Sequence, residues 1–249
     1  MARFKIAVQR LLGVAGYRLD HIERAPQGDL RGFMQALKKR GFSPASIIDI
    51  GANDAGWSGT VAKVFPNARY LLVEPQAEMK PRLDKFCRDV AAAEYVIAGA
   101  DSEVGSRIFT MFPDTVSSTF SLPEATGAGG VNGGIQRKVE LTTIDALCKA
   151  RGNWVPEVIK IDAEGFDFKI LQGAASVLGK TELILLELTF FGRHEGALSP
   201  EDLIQFMKSK GYSIYDFTGF QRRPYDGAMG QLEVAFALDS GRLRSNPRW

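Results

Sequence analysis

The sequence has little of what marks a metal-binding, secreted or membrane protein. Its 249 residues include only two cysteines, Cys87 and Cys148, and two histidines. Two cysteines are too few for a cysteine-rich metal cluster or a disulfide framework. No stretch approaches the roughly 18 uncharged apolar residues that a transmembrane helix needs. We therefore expect a protein without an integral membrane segment, in the reducing environment of the cytoplasm.

The chain also lacks a strong excess of charge of one sign. It has 31 basic and 29 acidic residues, for a net charge of +2, and 45% of its residues are hydrophobic. Nucleic-acid-binding proteins usually carry a dense basic face, so no nucleic acid partner is expected. The composition is typical of a globular protein with a hydrophobic core.

The N-terminal stretch MARFKIAVQRLLGVAGYRL is basic, with scattered apolar residues. Gln9 and Arg10 interrupt the apolar core that a signal peptide needs, and no small-residue cleavage site follows. An amphipathic helix on a membrane surface is one interpretation. A short helix packed on the domain is favoured, because basic amphipathic patterns are unspecific. We predict a helical extension over 1–44, one domain over 45–240 and a tail over 241–249.

Strand and helix patterns alternate along the chain. Apolar residues at helical spacing predict a helix over 29–41, with Asp29 as N-cap and Gly41 as C-terminal stop. Continuous apolar runs suit strands that are covered on both faces, as in a parallel sheet between two layers of helices. The further predicted strands are 45–50, 69–75, 94–100, 106–112, 138–144, 157–165, 181–190, 212–217 and 231–238, and the further predicted helices are 57–65, 76–90, 166–179 and 200–211.

A glycine turn, GANDAG, joins the first of these strands to the next helix. This is the dinucleotide-fold position for a cofactor, and Glu74 ends the next strand, where an acid can bind ribose hydroxyls. Asn53 stands where a pyrophosphate cofactor needs the middle glycine. Asp49 and Asp54 would repel a pyrophosphate but suit a cationic ligand such as S-adenosylmethionine. The alternative function is a nicotinamide oxidoreductase. The alternative role for the acid is to cap the turn by accepting hydrogen bonds from backbone N–H groups.

The chain carries five motifs that occur together: IIDIGANDAGWSG, LLVEP, VELTTIDAL, VIKIDAEGFDFKILQGA and LILLEL. Over roughly residues 45–190 they resemble the FkbM family of S-adenosylmethionine-dependent methyltransferases. The resemblance implies an α/β fold with a doubly wound, seven-stranded, Rossmann-like methyltransferase sheet and helices on both faces. It further implies the strand order 3-2-1-4-5-7-6, with the last strand antiparallel. It also implies O-methylation of a hydroxyl on a sugar or secondary metabolite.

The same resemblance implies which residues meet the cofactor. Asp162 ends the fourth strand and would face the methyl group or the acceptor. The residues expected to bind S-adenosylmethionine are Asp49, Gly51, Ala52, Asn53, Ser58, Glu74, Pro75, Ala100 and Asp162.

Methyl transfer from a sulfonium is an in-line displacement, so the protein mainly has to position the acceptor. An alcohol acceptor also benefits from a general base, worth about 10²–10⁴-fold in rate. The expected catalytic residues are Asp162, Glu164 and His194, at or after the carboxyl ends of strands. Glu187, inside an apolar strand, must be paired or lie near an opening. Glu164 as a helix N-terminal acid and His194 as a plain loop residue are the alternatives.

These acids with His194 are also compatible with a divalent cation, but that is the minority interpretation and no metal is predicted. A glycine-rich lid is expected near 113–137, and its Ser117–Phe120 segment is a candidate contact for a polyhydroxylated acceptor. Arg222, Arg223 and Tyr225 are candidates for an anionic acceptor, or else a solvated surface. A binding module that keeps the fold without turnover is the remaining alternative, and no oligomeric state is predicted.

Overall fold

A computed structural model of the chain describes residues 28–115, 118–120, 122–125, 133–191 and 198–246. The helices are α1 (Leu30–Lys39), α2 (Gly56–Ala62), α3 (Lys80–Asp89), α4 (Ile144–Lys149), α5 (Asp167–Gln172) and α6 (Pro200–Ser209). The strands are β1 (Ser46–Ile50), β2 (Arg69–Glu74), β3 (Ala93–Ile97), β4 (Gly99–Ala100), β5 (Gly105–Met111), β6 (Ile135–Thr142), β7 (Val158–Ile161), β8 (Leu183–Thr189), β9 (Tyr212–Arg222) and β10 (Met229–Leu238). Short 3₁₀ helices cover Ala77–Met79 and Arg242–Arg244.

The main sheet has seven strands in the order β3-β2-β1-β7-β8-β10-β9. The first five of these are parallel, whereas β10 is antiparallel to both β8 and β9. The predicted doubly wound order with an antiparallel last strand is therefore confirmed. The direction of winding reverses between β1 and β7, and ligands of open α/β sheets bind outside the carboxyl ends of strands at such a point.

The continuous apolar runs of the central strands are explained by helices on both faces. Ile48 and Ile50 of β1 pack in a cluster with buried residues of α4, α5 and α6. Ile47, on the opposite face, packs with buried residues of α1, α2 and α3. Because side chains alternate along a strand, every residue of β1 is buried on one face or the other.

A second, three-stranded sheet has the order β4-β6-β5. The predicted strand over 94–100 is in fact divided: β3 stays in the main sheet, and β4 leaves it to pair with β6. Gly99 lies at this crossing, where an added Cβ would stand 2.4 Å from Cζ of Phe120. The second sheet thereby comes to lie beside the carboxyl ends of the main strands.

Some element boundaries differ from the predicted ones. The strand predicted to reach 144 ends at Thr142, because the Thr143 side chain accepts a hydrogen bond from Ala146 N and begins α4. The helix predicted over 166–179 ends at Gln172, and β9 runs on to Arg222. Asp29 precedes α1 but makes no side-chain cap.

The predicted N-terminal extension is described only in part. Residues 1–27 lie outside the described residues, and α1 packs its buried Phe33, Met34 and Leu37 against the domain. Within the described ranges, the helices are all too short or too polar to cross a membrane.

Candidate active site

A cavity of about 190 Å³ opens at the reversal point of the main sheet. A single ordered water needs only about 15 Å³ by this measure, so the cavity has room for a larger ligand. The turn after β1, the ends of β2 and β7, β4 and the segment after β5 form its walls. The residues that line it are Ile50, Gly51, Asn53, Val73, Glu74, Pro75, Gln76, Ala98, Gly99, Ala100, Phe109, Thr115, Ser118, Phe120, Asp162, Ala163, Glu164, Glu187, Gln221 and Gln231.

The first three backbone N–H groups of the glycine turn point into β2 rather than into the cavity. Gly51 N and Ala52 N donate to the carbonyl of Val73 at 2.9 and 3.1 Å. Asn53 N donates to Oε2 of Glu74 at 2.7 Å. A phosphate-binding turn needs such N–H groups for its anion. Because these three N–H groups are already hydrogen-bonded within the protein, the turn is unsuited to bind a pyrophosphate.

The turn requires glycine at position 51, and two later residues of the turn adopt a strained backbone conformation. Gly51 has φ +73°, and an added Cβ would stand 1.8 Å from the carbonyl oxygen of Asp162. Asn53 and Ala55 also have positive φ, 45° and 63°. Non-glycine residues in this region store strain, and such strain is concentrated at functional sites.

Glu74 ties the turn to the end of β2. Its Oε1 accepts from Gln76 N at 2.9 Å, while Oε2 holds Asn53 N. Burial raises the pKa of Glu74, and these backbone hydrogen bonds oppose the shift. Each carboxylate oxygen can accept more than one hydrogen bond, so Glu74 still has capacity for ligand hydroxyls in the cavity.

Asp49 lies beneath the turn, in a buried ion pair. It is fully buried, and its Oδ2 accepts from the Ser58 hydroxyl at 2.6 Å. Lys160, its register partner in β7, places Nζ 3.5 Å from Asp49 Oδ1 and 3.1 Å from Asp162 Oδ2. Burial raises the pKa of Asp49, and Lys160 and Ser58 oppose that shift. Burial alone would lower the pKa of Lys160, but the two carboxylates raise it.

Two further carboxylates line the cavity beside Asp162, whose side chain is 40% exposed. Burial and the nearby Asp162 charge raise the pKa of Glu164 to about 7 and that of Glu187 to about 8. Oε1 of Glu187 accepts from Gln231 Nε2 at 2.7 Å. Glu164 adopts a left-handed conformation with φ +46°. The cavity therefore holds two carboxyl groups whose pKa values burial raises towards neutral pH.

The beginning of the predicted lid is bonded to the turn. The carbonyl of Thr115 accepts from Gln76 Nε2 at 2.9 Å and from Asn53 Nδ2 at 3.3 Å. Thr119 Oγ1 donates to the carbonyl of Glu164 at 3.2 Å. Ser117, like residues 116, 121 and 126–132 of the lid, lies outside the described residues.

The predicted site residues separate into two groups. Those that line the cavity are Gly51, Asn53, Glu74, Pro75, Ala100, Asp162 and Glu164. Asp49 and Ser58 are fully buried and bonded to each other, and Ala52 is also outside the lining. Asp49 therefore lies beneath the cavity rather than in its lining, and its role in cofactor binding stays a prediction. His194 lies outside the described residues.

Three residues at or beside the site were not predicted from the sequence. A signal for Lys160 was present, because a charged side chain inside the apolar run VIKI must be paired. Thr115 and Gln76 carried none, since their contact joins segments far apart in the chain. Within the part of the chain that the structure describes, no group of three or more His, Cys, Asp or Glu residues is arranged to hold a metal ion.

Comparisons with known proteins identify a family for most of the chain. The family model described as "Methyltransferase FkbM domain" matches residues 49–214, about two thirds of the chain. No curated protein matched this chain. Similar solved structures include the N-methyltransferase NodS from Bradyrhizobium japonicum WM9, with 7% identity, a TM-score of 0.46, and coverage of 84% of this chain and 93% of that chain.

Two more of these structures were solved with a ligand. Aeropyrum pernix fibrillarin, in complex with natively bound S-adenosyl-L-methionine, has 12% identity, a TM-score of 0.41, and coverage of 92% of this chain and 74% of that chain. The Burkholderia thailandensis 1,6-didemethyltoxoflavin-N1-methyltransferase, with S-adenosylhomocysteine, has 12% identity, a TM-score of 0.43, and coverage of 94% and 88%. Identities and TM-scores this low assign no substrate or activity to this chain.

Proposed function

This chain belongs to the FkbM methyltransferase family, and we propose that it methylates a hydroxyl oxygen of a sugar or other small metabolite, with S-adenosylmethionine as methyl donor. One observation carries the proposal. The cavity at the reversal point is lined by four carboxylates, Glu74, Asp162, Glu164 and Glu187, and by no basic side chain among the described residues. Burial raises the pKa values of the three glutamates, and a bound cation would stabilise their ionised forms, so the cavity favours a ligand that bears positive charge.

The residues present fit S-adenosylmethionine. The acids suit its sulfonium and ammonium groups through charge-assisted contacts. Glu74 retains hydrogen-bonding capacity at the end of β2, the position where an acid binds ribose hydroxyls. When bound, this cofactor supplies a methyl group that is already activated for transfer. The committed N–H groups of the turn speak against a nicotinamide dinucleotide.

Glu187 is our candidate for the general base, ahead of Asp162. A base works best when its pKa is close to the operating pH, and the pKa of Glu187 is raised to about 8. The Gln231 amide orients its carboxylate from β10. Asp162 is already paired with Lys160 and is better suited to hold a positive ligand. Glu164 is the second candidate base, and His194 remains a prediction.

An oxygen acceptor is supported over a nitrogen acceptor by this base. A neutral amine attacks a methyl sulfonium without prior loss of a proton, whereas an alcohol gains from proton removal. We also propose a cytoplasmic location, which the free thiols of Cys87 and Cys148 support.

The test is calorimetry of the full chain with S-adenosylmethionine, S-adenosylhomocysteine and NAD, each titrated separately. The first two should bind and NAD should not. Binding of NAD alone would refute the proposal. Formation of S-adenosylhomocysteine with hydroxylated acceptors then distinguishes an enzyme from a binding module that shows no turnover with any of them.

A further inference from the structure

A second depression borders the cavity on the side of the β9–β10 hairpin. It has a volume of about 540 Å³, and we call it the hairpin groove. Gln221 and Gln231 line both the groove and the cavity. A molecule that places one end in the cavity can therefore extend its other end along the groove. The lining residues that bear on its chemistry are Phe191, Gln221, Arg222, Arg223 and Gln231.

The hairpin turn that carries the two arginines is closed by its own hydrogen bonds. Arg223 N donates to the carbonyl of Ala228 at 2.8 Å, and Gly227 N donates to the carbonyl of Arg223 at 2.9 Å. Arg222 Nη1 donates to the carbonyl of Gly227 at 2.9 Å. These bonds hold the arginines at the groove, so little ordering is needed when a ligand binds.

Charge differs in sign between the two compartments. The described lining of the cavity is acidic, whereas that of the groove contains two arginines and no acid. Asp226 approaches Arg223 Nε only at 3.5 Å. A guanidinium has five N–H donors in a fork that matches phosphate geometry. A phosphate group finds no basic side chain in the described lining of the cavity and finds two arginines in that of the groove.

Exposed aromatic rings stand beside the arginines. The Arg223 guanidinium lies 4.0 Å from the ring centroid of Phe191 and 5.5 Å from that of Tyr225. Phe191 is 48% exposed and Tyr225 is 88% exposed. Flat rings stack on aromatic faces and on arginine planes. Phe191 lines the groove and Tyr225 contacts the groove's Arg223, so a stacking surface lies next to an anion-binding one.

We propose that the hairpin groove binds the part of the acceptor that is not methylated, and that the acceptor is a nucleoside-diphosphate-linked sugar. The sugar occupies the cavity, where Gln221 and Gln231 bind its hydroxyls. Its diphosphate pairs with Arg222 and Arg223, and its base stacks on the exposed rings. This inference rests on the proposed methyltransferase function, and it adds the chemical class of the acceptor.

The experiment is calorimetry of the full chain saturated with S-adenosylhomocysteine, titrated with uridine diphosphate or inorganic pyrophosphate. Uridine diphosphate should bind at least tenfold more tightly than pyrophosphate, because its base adds stacking. The double variant Arg222→Gln/Arg223→Gln should weaken uridine diphosphate binding at least tenfold. The matched control is Arg88→Gln/Lys149→Gln on α3 and α4, which also loses two charges, outside both compartments, and should change the affinity less than twofold.

The outcomes separate this inference from the proposed function. If uridine diphosphate fails to bind, or binds the double variant as tightly as the wild type, the groove proposal is overturned while S-adenosylhomocysteine binding stands. Equal affinities for pyrophosphate and uridine diphosphate would contradict base stacking and with it the nucleoside. If the unsaturated protein binds uridine diphosphate through these arginines but never binds S-adenosylhomocysteine, the groove stands and the proposed function fails.

Discussion

Replacement of Lys160 by methionine should destabilise the fold in a way that depends on pH. Methionine keeps much of the apolar volume but removes the only charge that directly contacts Asp49 among the described residues. Asp49 is fully buried, and only the Ser58 hydroxyl would remain to bond it. A buried carboxylate without a cation takes up a proton rather than remaining charged.

The size of the effect follows from that proton. A carboxyl with an unfolded pKa of about 3.9 costs about 1.4 kcal/mol per pH unit to keep protonated above that pH. At pH 7 the cost is at most about 4 kcal/mol, and at pH 5 at most about 1.5 kcal/mol. Lys160 lowers the folded pKa of Asp49 against the effect of burial, so its removal raises that pKa further, and the added stability deficit is small near pH 4 and grows as the pH rises.

Urea denaturation followed by circular dichroism, at pH 5 and pH 7, measures the deficit, provided that the m-values agree. The double variant Lys160→Met/Asp49→Asn should recover most of the lost stability at pH 7, because the amide carries no charge and can still bond Ser58. Lys63→Met, at an exposed position, is the control and should stay within about 0.5 kcal/mol of wild type. Equal deficits at both pH values, or a double variant no more stable than Lys160→Met, would refute the ion-pair account.

Three further predictions concern the cavity. Glu187→Gln should lower kcat by about 10²–10⁴-fold, with S-adenosylhomocysteine affinity within twofold. The wild-type kcat/KM should rise with pH through about 8, since the base acts unprotonated. A variant with wild-type turnover would remove Glu187 as base. Glu74→Gln should weaken S-adenosylmethionine binding by about tenfold in calorimetry, which is the scale of one charge-assisted hydrogen bond. An unchanged affinity would count against the contact between Glu74 and the ribose. Gly51→Ala should lower the free energy of unfolding, measured by urea denaturation, by more than about 2 kcal/mol, because the added Cβ would meet the Asp162 carbonyl. The control is Gly59→Ala, whose Cβ would meet nothing within 4 Å. Equal stability of the two variants would contradict the steric argument.

Much of the main sheet could be predicted because its central strands are short apolar runs with clear ends. β1, β2, β7 and β8 all lie within predicted strands. The strand order came from the family resemblance rather than from pattern. The division of 94–100 into two strands could not be predicted, since it depends on the crossing of Gly99 under Phe120, a contact that no local pattern records.

The placement of Asp49 was within reach of the sequence. Side chains alternate along a strand, so Asp49 shares its face with Ile47, and that face packs under α1, α2 and α3. The same alternation in β7 places Lys160 beside it. By contrast, the contact of Thr115 with Asn53 and Gln76 depends on a loop conformation that residue types alone do not determine.

The committed N–H groups of the glycine turn also bear on attempts to redesign cofactor preference. Asn53→Gly would restore a glycine at the position that a dinucleotide fingerprint needs. The three N–H groups would nevertheless still be bonded to the Val73 carbonyl and the Glu74 carboxylate. Cofactor preference therefore depends on the hydrogen bonds between the turn after β1 and the end of β2. A redesign would have to change the end of β2 before substitutions in the turn could create a phosphate-binding site.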